Sequence, residues 1–319
     1  MVIKSTSIVV QQILILFFLI AIGYICGHFK IISGQTIPQL TDLLLIVFTP
    51  AVIVTAFQVS GSDLKLTNML ISAAVALLTF VIGTLVSWPF FRHETKERKR
   101  VLTFTAAFFN AGYFGLPVLR GVLGDLAVVY GSIFVALFNV VLWTYGVALI
   151  NGREKGKTLR SLLNPGLMTI VFVLVLYALK ITLPEVIQKP ISSLAAVQSP
   201  LAMIVIGVQF FAYRKQFNIK DAGVWKSVSI RNLAVPLLML PFIYLFTKDT
   251  LLFLACAVMT ATPTAAVSIL FATKYERDVN LAIQAVMLAT SMAIVTIPIV
   301  IAVSHWILGT AGFISGGLP

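Results

Sequence analysis

Two short runs carry residue types able to do chemistry in an otherwise apolar chain. The first is Phe108-Phe109-Asn110-Ala111-Gly112-Tyr113-Phe114-Gly115-Leu116-Pro117, the second Thr260-Ala261-Thr262-Pro263-Thr264. Neither suits an unbroken helix, because glycine costs ~1 kcal/mol and proline ~3 kcal/mol relative to alanine in a helix interior. Backbone freed at bilayer depth must find its hydrogen bonds in protein or trapped water. Each run therefore predicts a break in a membrane helix, and Thr262 followed by Pro263 predicts the cap and first turn of a helix resuming there. A helix N-terminus carries about half a positive charge and free N–H donors. Two facing ends would hold a small organic anion without a buried lysine. The candidate binding residues are Asn110, Gly112, Gly115, Pro117, Thr260, Thr262, Pro263 and Thr264. The plain alternative is a pair of packing kinks, which weakens once both runs fall in corresponding parts of the chain.

Other chemistries lack their residues. All eleven acidic residues lie in loops or span ends, with Asp42 the deepest, and His28, His93 and His305 are terminal as well. Buried carboxylates are the usual proton and cation carriers, so a sodium–proton antiporter or a proton pump does not fit. No nucleophile elbow, zinc-protease, P-loop or paired-cysteine pattern occurs. The chain therefore does not read as an enzyme, and no cofactor or metal is expected. Arg231, near the start of the eighth apolar segment, reads as a snorkelling side chain and Arg120 as an interface anchor. Asn139 and Gln284 read as interhelix hydrogen-bond partners. Cys26 and Cys256 fall at different depths, so no bridge is expected between them.

The elements that must position these residues follow from composition. Of 319 residues 59% are hydrophobic and 11% charged, with a mean hydropathy of +1.03; a soluble domain carries about a quarter charged residues. Apolar stretches near twenty residues long match ~30 Å of hydrocarbon. They place spans at about 8–27, 36–59, 67–91, 101–123, 127–150, 165–184, 190–213, 225–247, 250–273 and 280–309. The first reads as a retained span, not a removed signal peptide. Seventeen lysines and arginines flank one side and six the other; the richer side is the cytoplasm, which puts both termini outside. The net charge of +12 is thus a membrane-orientation signal, with no nucleic-acid face. The tryptophans Trp88, Trp143, Trp225 and Trp306 fall toward span ends, as interface anchors do. A linker at 151–164 separates five spans in 1–150 from five in 165–319. An odd number per half requires the second half to be inverted. Pro50 with Pro200, and Asn110 with Thr260, are spaced alike across the halves.

The run Asn110-Ala-Gly-Tyr-Phe-Gly115-Leu-Pro117-Val118-Leu119, with ten spans, outward termini and a proline-broken ninth span ending Ala272-Thr-Lys-Tyr275, resembles the auxin efflux carrier family. That family includes plant auxin exporters and bacterial malate and malonate permeases. The resemblance implies an all-α polytopic fold like the sodium–proton antiporter and bile-acid symporter folds, with helices 4 and 9 broken and crossing. It implies a scaffold of spans 1, 2, 6 and 7, a transport domain of spans 3–5 and 8–10, and a homodimer. Asn110 matches the family's substrate-contacting asparagine; where the plant exporters have a second asparagine, this chain has Thr260, Thr262 and Thr264. The expectation is an inner-membrane secondary transporter of small organic anions, dicarboxylates such as malate or malonate first. A sodium-coupled organic-anion symporter is the nearest alternative, and a membrane receptor or sensor the alternative of another class.

Overall fold

Long uncharged runs of Leu, Ile, Val and Ala satisfy their own backbone polar groups in lipid only as helices or closed barrels, and the alternation of a barrel strand is missing here. The computed structural model describes residues 2–59, 65–152, 165–179, 181–216 and 220–310. Asp63, Glu154 and most of the 151–164 linker lie outside the described residues. The described chain is helical: α1 Val2–His28, α2 Ile37–Leu43, α3 Thr49–Val59, α4 Leu66–Phe90, α5 Lys96–Ala107, α6 Leu116–Leu123, α7 Asp125–Val141, α8 Val147–Asn151, α9 Pro165–Ala178, α10 Glu185–Tyr213, α11 Ala222–Ser229, α12 Val235–Phe246, α13 Thr250–Thr260, α14 Val267–Lys274 and α15 Val279–Thr310. Among the described residues six helical runs are long and apolar enough to cross a membrane: Ile37–Thr55, Leu66–Phe90, Leu126–Asn151, Glu185–Tyr213, Ala222–Phe246 and Val279–Gly309. The molecule is a polytopic helical membrane protein.

Several helices are joined without a break by a single widened π-turn. Three of these turns, Leu44–Phe48, Ala111–Gly115 and Ile230–Ala234, end two residues before Pro50, Pro117 and Pro236. Proline lacks an N–H, and its ring collides with the carbonyl four residues earlier. Widening the turn moves that carbonyl aside, so the helix continues past the proline.

The tightest packing joins α1 to α10. A Cβ on Gly23 would lie 2.1 Å from the Ile204 carbonyl oxygen, and one on Gly207 2.0 Å from that of Ile20. The two backbones therefore touch, as small residues allow between membrane helices. A second core is aromatic. Phe104 stacks on Phe108 with ring centres 4.2 Å apart, Phe80 meets Phe109 at 4.8 Å, and Phe134 and Phe138 close around them. All six rings are buried. Cys26 and Cys256 are both free thiols. Asp42, expected to be the deepest acid, is exposed, because the face of α2 that it occupies points away from the core.

Candidate functional site

Both expected breaks exist, and each satisfies the other's backbone. Helix α5 ends at Ala107 and α13 at Thr260. Beyond them Phe109 and Thr264 form an antiparallel bridge. Asn110 N–H donates to Pro263 O at 2.8 Å, and Ala265 N–H to Phe108 O at 2.9 Å. The Thr264 hydroxyl donates to Thr105 O at 2.9 Å. Groups freed by the unwinding are thereby paired, as burial demands.

The chain leaves the two breaks differently. Asn110 caps the helical segment that follows it, its Oδ1 accepting from Tyr113 N–H at 3.3 Å. The expected start at Thr262–Pro263 is corrected: α14 begins at Val267, with no side-chain cap. The bridge to Phe108 and Thr105 holds residues 262–265 out of helical geometry, and the Thr262 hydroxyl instead donates back to Met259 O at 2.9 Å. Thr260 likewise donates to Ala257 O at 2.9 Å. All three threonine hydroxyls spend their proton on backbone carbonyls.

Arg231 is the larger correction. It does not snorkel; no part of it is exposed. Its guanidinium donates to Thr260 O and, at 3.5 Å, to Ala107 O, the terminal carbonyls of α13 and α5. It lies 5.4 Å from the centre of the Phe109 ring. A lone arginine costs ~2.5–3.5 kcal/mol at the centre of a membrane helix on insertion scales. Here the π-turn Ile230–Ala234 carries it to two helix C-termini, where a cation is favoured. Removing it from the loop cations leaves sixteen against six in the orientation count.

Beside the paired breaks is a partly open pocket, about 400 Å³ of empty space with its open mouth included, whose polar lining is Thr49, Asn110, Tyr113 and Asn139. Gly112, Ala265, Ala266 and Val267 complete its wall. Among the described residues no carboxylate lines it. Asn110 is 4% exposed, and its Nδ2 has no hydrogen-bond partner; Thr49 Oγ1 and Tyr113 Oη are also unpartnered. Asn139 bonds within its own helix, to Val135 O at 2.9 Å, and not between helices as expected. Of the expected site residues, Asn110 and Gly112 line this cavity. Gly115 packs on Met259 and Thr262, Pro117 faces a separate cavity, and Thr260, Thr262 and Thr264 are buried behind the wall. Pro263 takes part through its carbonyl alone. Sequence reasoning missed Thr49, Tyr113 and Gln198, although Thr49 stands directly before Pro50.

Two larger cavities flank the first. One of about 640 Å³ shares Tyr113, Ala266 and Val267 with it. The other, of about 890 Å³, contains Pro117, Arg120 and Gln198. Between that one and the site, Gln198 Nε2 donates to Gly112 O at 3.2 Å. The site thus shares a wall with one neighbouring cavity and is latched on the side of the other.

The sequence matches the model of a family described as membrane transport protein over residues 8–159 and 155–301. The chain belongs to the membrane transport protein family. It is similar to an uncharacterised transporter of Methanocaldococcus jannaschii, 23% identical over 312 residues, 93% of this chain and 97% of the relative. An uncharacterised transporter of Methanothermobacter thermautotrophicus is 21% identical over 297 residues, covering 91% and 96%. The resemblance to auxin efflux carriers is borne out at the level of this family, and the chain is a multi-pass membrane transporter. In this transporter, ion pairs at one end tie the broken helices to their neighbours. Arg98 donates to both oxygens of Asp221 at 2.9 Å, and Asp221 Oδ1 caps α11. Arg277 reaches Glu97 at 2.8 Å and the carbonyls of Ile150 and Asn151 at 3.0 Å.

Proposed function

We propose that this transporter carries small organic anions, mono- and dicarboxylates such as malate or malonate, across the plasma membrane by alternating access. One observation carries the reading: the Asn110 amide, buried at a helix start, holds unpartnered N–H donors beside a cavity with no carboxylate among its described lining residues. A buried donor left unsatisfied costs about 1–3 kcal/mol, and a carboxylate from the ligand would remove that cost. Thr49 and Tyr113 add hydroxyl donors, and the half-helix starts at Asn110 and Val267 add N–H groups and positive field.

The proposal includes ten spans in two inverted halves, with both termini outside and helices 4 and 9 crossing at their breaks. It divides the spans into a scaffold of 1, 2, 6 and 7 and a moving body of 3–5 and 8–10, within a homodimer. The α1–α10 backbone contact supports the fixed half, and the Arg98–Asp221 and Arg277–Glu97 ties support the rigidity of the other. Thr49 comes from the first set and Asn110 from the second, so sliding one past the other would remake the cavity.

Counterflow of labelled malonate in proteoliposomes tests the reading. Exchange by the wild type and its loss in Asn110→Ala are expected; binding without exchange would make the protein a receptor.

A further inference from the structure

We infer that Arg231 is a built-in counter-cation of the crossing, standing where a coupling metal ion would otherwise be held, so that anion binding needs no sodium. Four helix ends meet at the two breaks. Those at Ala107 and Thr260 are C-termini, each carrying about half a negative charge; those at Asn110 and Val267 are starts, each carrying about half a positive one. Left alone, the four nearly cancel, and the cavity beside Asn110 would offer an anion little net attraction. The C-terminal ends of broken helices and their unwound carbonyls are also the groups that coordinate sodium in other transporters.

In this chain those acceptors are occupied from within. The guanidinium bonds to the terminal carbonyl of each of the two C-terminal ends. Among the described residues no carboxylate pairs with it, so its charge is not spent on a salt bridge. A guanidinium keeps its proton, which makes the compensation permanent. With about one negative charge cancelled at the C-terminal ends, the two helix starts remain as about one positive charge toward the cavity. Phe109 lies against the guanidinium and belongs to the same break as Asn110, so Arg231 acts through the field and not by contact with the ligand. The residue is a positioning residue for charge, and it turns a site that would need a cation into one that does not.

This inference rests on the anion reading above, and its test keeps the two apart. Melting of the full-length protein is followed in sodium chloride and in choline chloride of equal ionic strength, with and without malonate. The wild type is expected to melt alike in both salts and to gain the same stabilisation from malonate in both. Arg231→Gln keeps a donor for one carbonyl but loses the charge. It should weaken malonate binding roughly tenfold or more in choline, as removal of a nearby unit charge at an effective dielectric of about 20 implies, while Arg231→Lys stays within a few-fold of wild type. A wild type that binds malonate only in sodium, or an Arg231→Gln protein that binds as tightly as wild type, overturns the inference. Should Arg231→Gln fail to fold, the wild-type comparison of the two salts still decides. If malonate shifts nothing in either salt and Asn110→Ala changes nothing, the anion reading fails instead; higher melting of the ligand-free wild type in sodium would then still refute the counter-cation.

Discussion

Asn110 holds two jobs in one side chain. Its Oδ1 caps the following turn through Tyr113 N–H, while its Nδ2 is buried beside the cavity with no partner. Substitution separates them. Asn110→Asp keeps the capping oxygen but replaces the donor with a negative charge; it should melt near the wild type and lose anion binding. Asn110→Ala removes both, and a lost hydrogen bond to a charged ligand, about 1.5–3 kcal/mol, lowers affinity about 10- to 150-fold. Thr262→Ala should leave affinity nearly unchanged, since its hydroxyl serves Met259 O. Calorimetry on the purified variants checks all three. Asn110 was legible because an amide followed within seven residues by two glycines and a proline has few structural uses in an apolar span. Arg231 was misread for a physical reason: sequence gives a residue's distance from a span end, but not the helix termini from other segments that come to meet it.

At the scale of the element, the breaks were legible and their geometry was not. Glycine and proline mark where a helix fails, yet which residue starts the next one depends on pairing across 155 residues of chain. The bridge between Phe109 and Thr264 kept the second half-helix from starting at Pro263. The glycines of α1 and α10 carry a sharper consequence. A valine at position 207 would push side-chain carbon into the Ile20 carbonyl, and backbone cannot yield as a side-chain tip can. Gly207→Val should cost at least the 1–3 kcal/mol typical of overpacking, read as a lower melting temperature or lost expression. The tie between α5 and α11 is electrostatic. Burial alone would raise the Asp221 carboxyl, but the Arg98 guanidinium and the N–H groups of Val224 and Gly223 outweigh it and hold it below the usual carboxylate range. A depressed folded value means stability that is complete above the unfolded value of about 3.9 and lost as pH falls through the folded one. Melting should therefore be flat from neutral pH to about 5 and fall below about 4. Asp221→Asn should melt lower at neutral pH and lose part of that acid dependence.

For the whole molecule, composition and span length made the fold class readable, because lipid leaves a chain so few ways to satisfy its backbone. The energy source follows from where charges are absent. With no carboxylate among the described residues of the site wall, the proposed transport needs no proton carrier. An anion leaving an inside-negative cell gains about 2.3 kcal/mol per charge per 100 mV. Flux should accordingly follow an imposed potential, and Asp42→Asn, on an exposed face, should transport like the wild type; strict proton coupling lost in that variant would sink this account. The aromatic core has a further, electrical consequence. Phe80, Phe104, Phe108, Phe109, Phe134 and Phe138 surround the first break with rings that offer water no strong hydrogen-bond acceptor. A proton wire needs an unbroken file of such partners, and here the file is interrupted by hydrocarbon. The idle transporter should act as an insulator: in a planar bilayer without substrate it should pass no measurable current, whereas Phe109→Ser, placing a hydroxyl in that block, should leak and drain the membrane voltage.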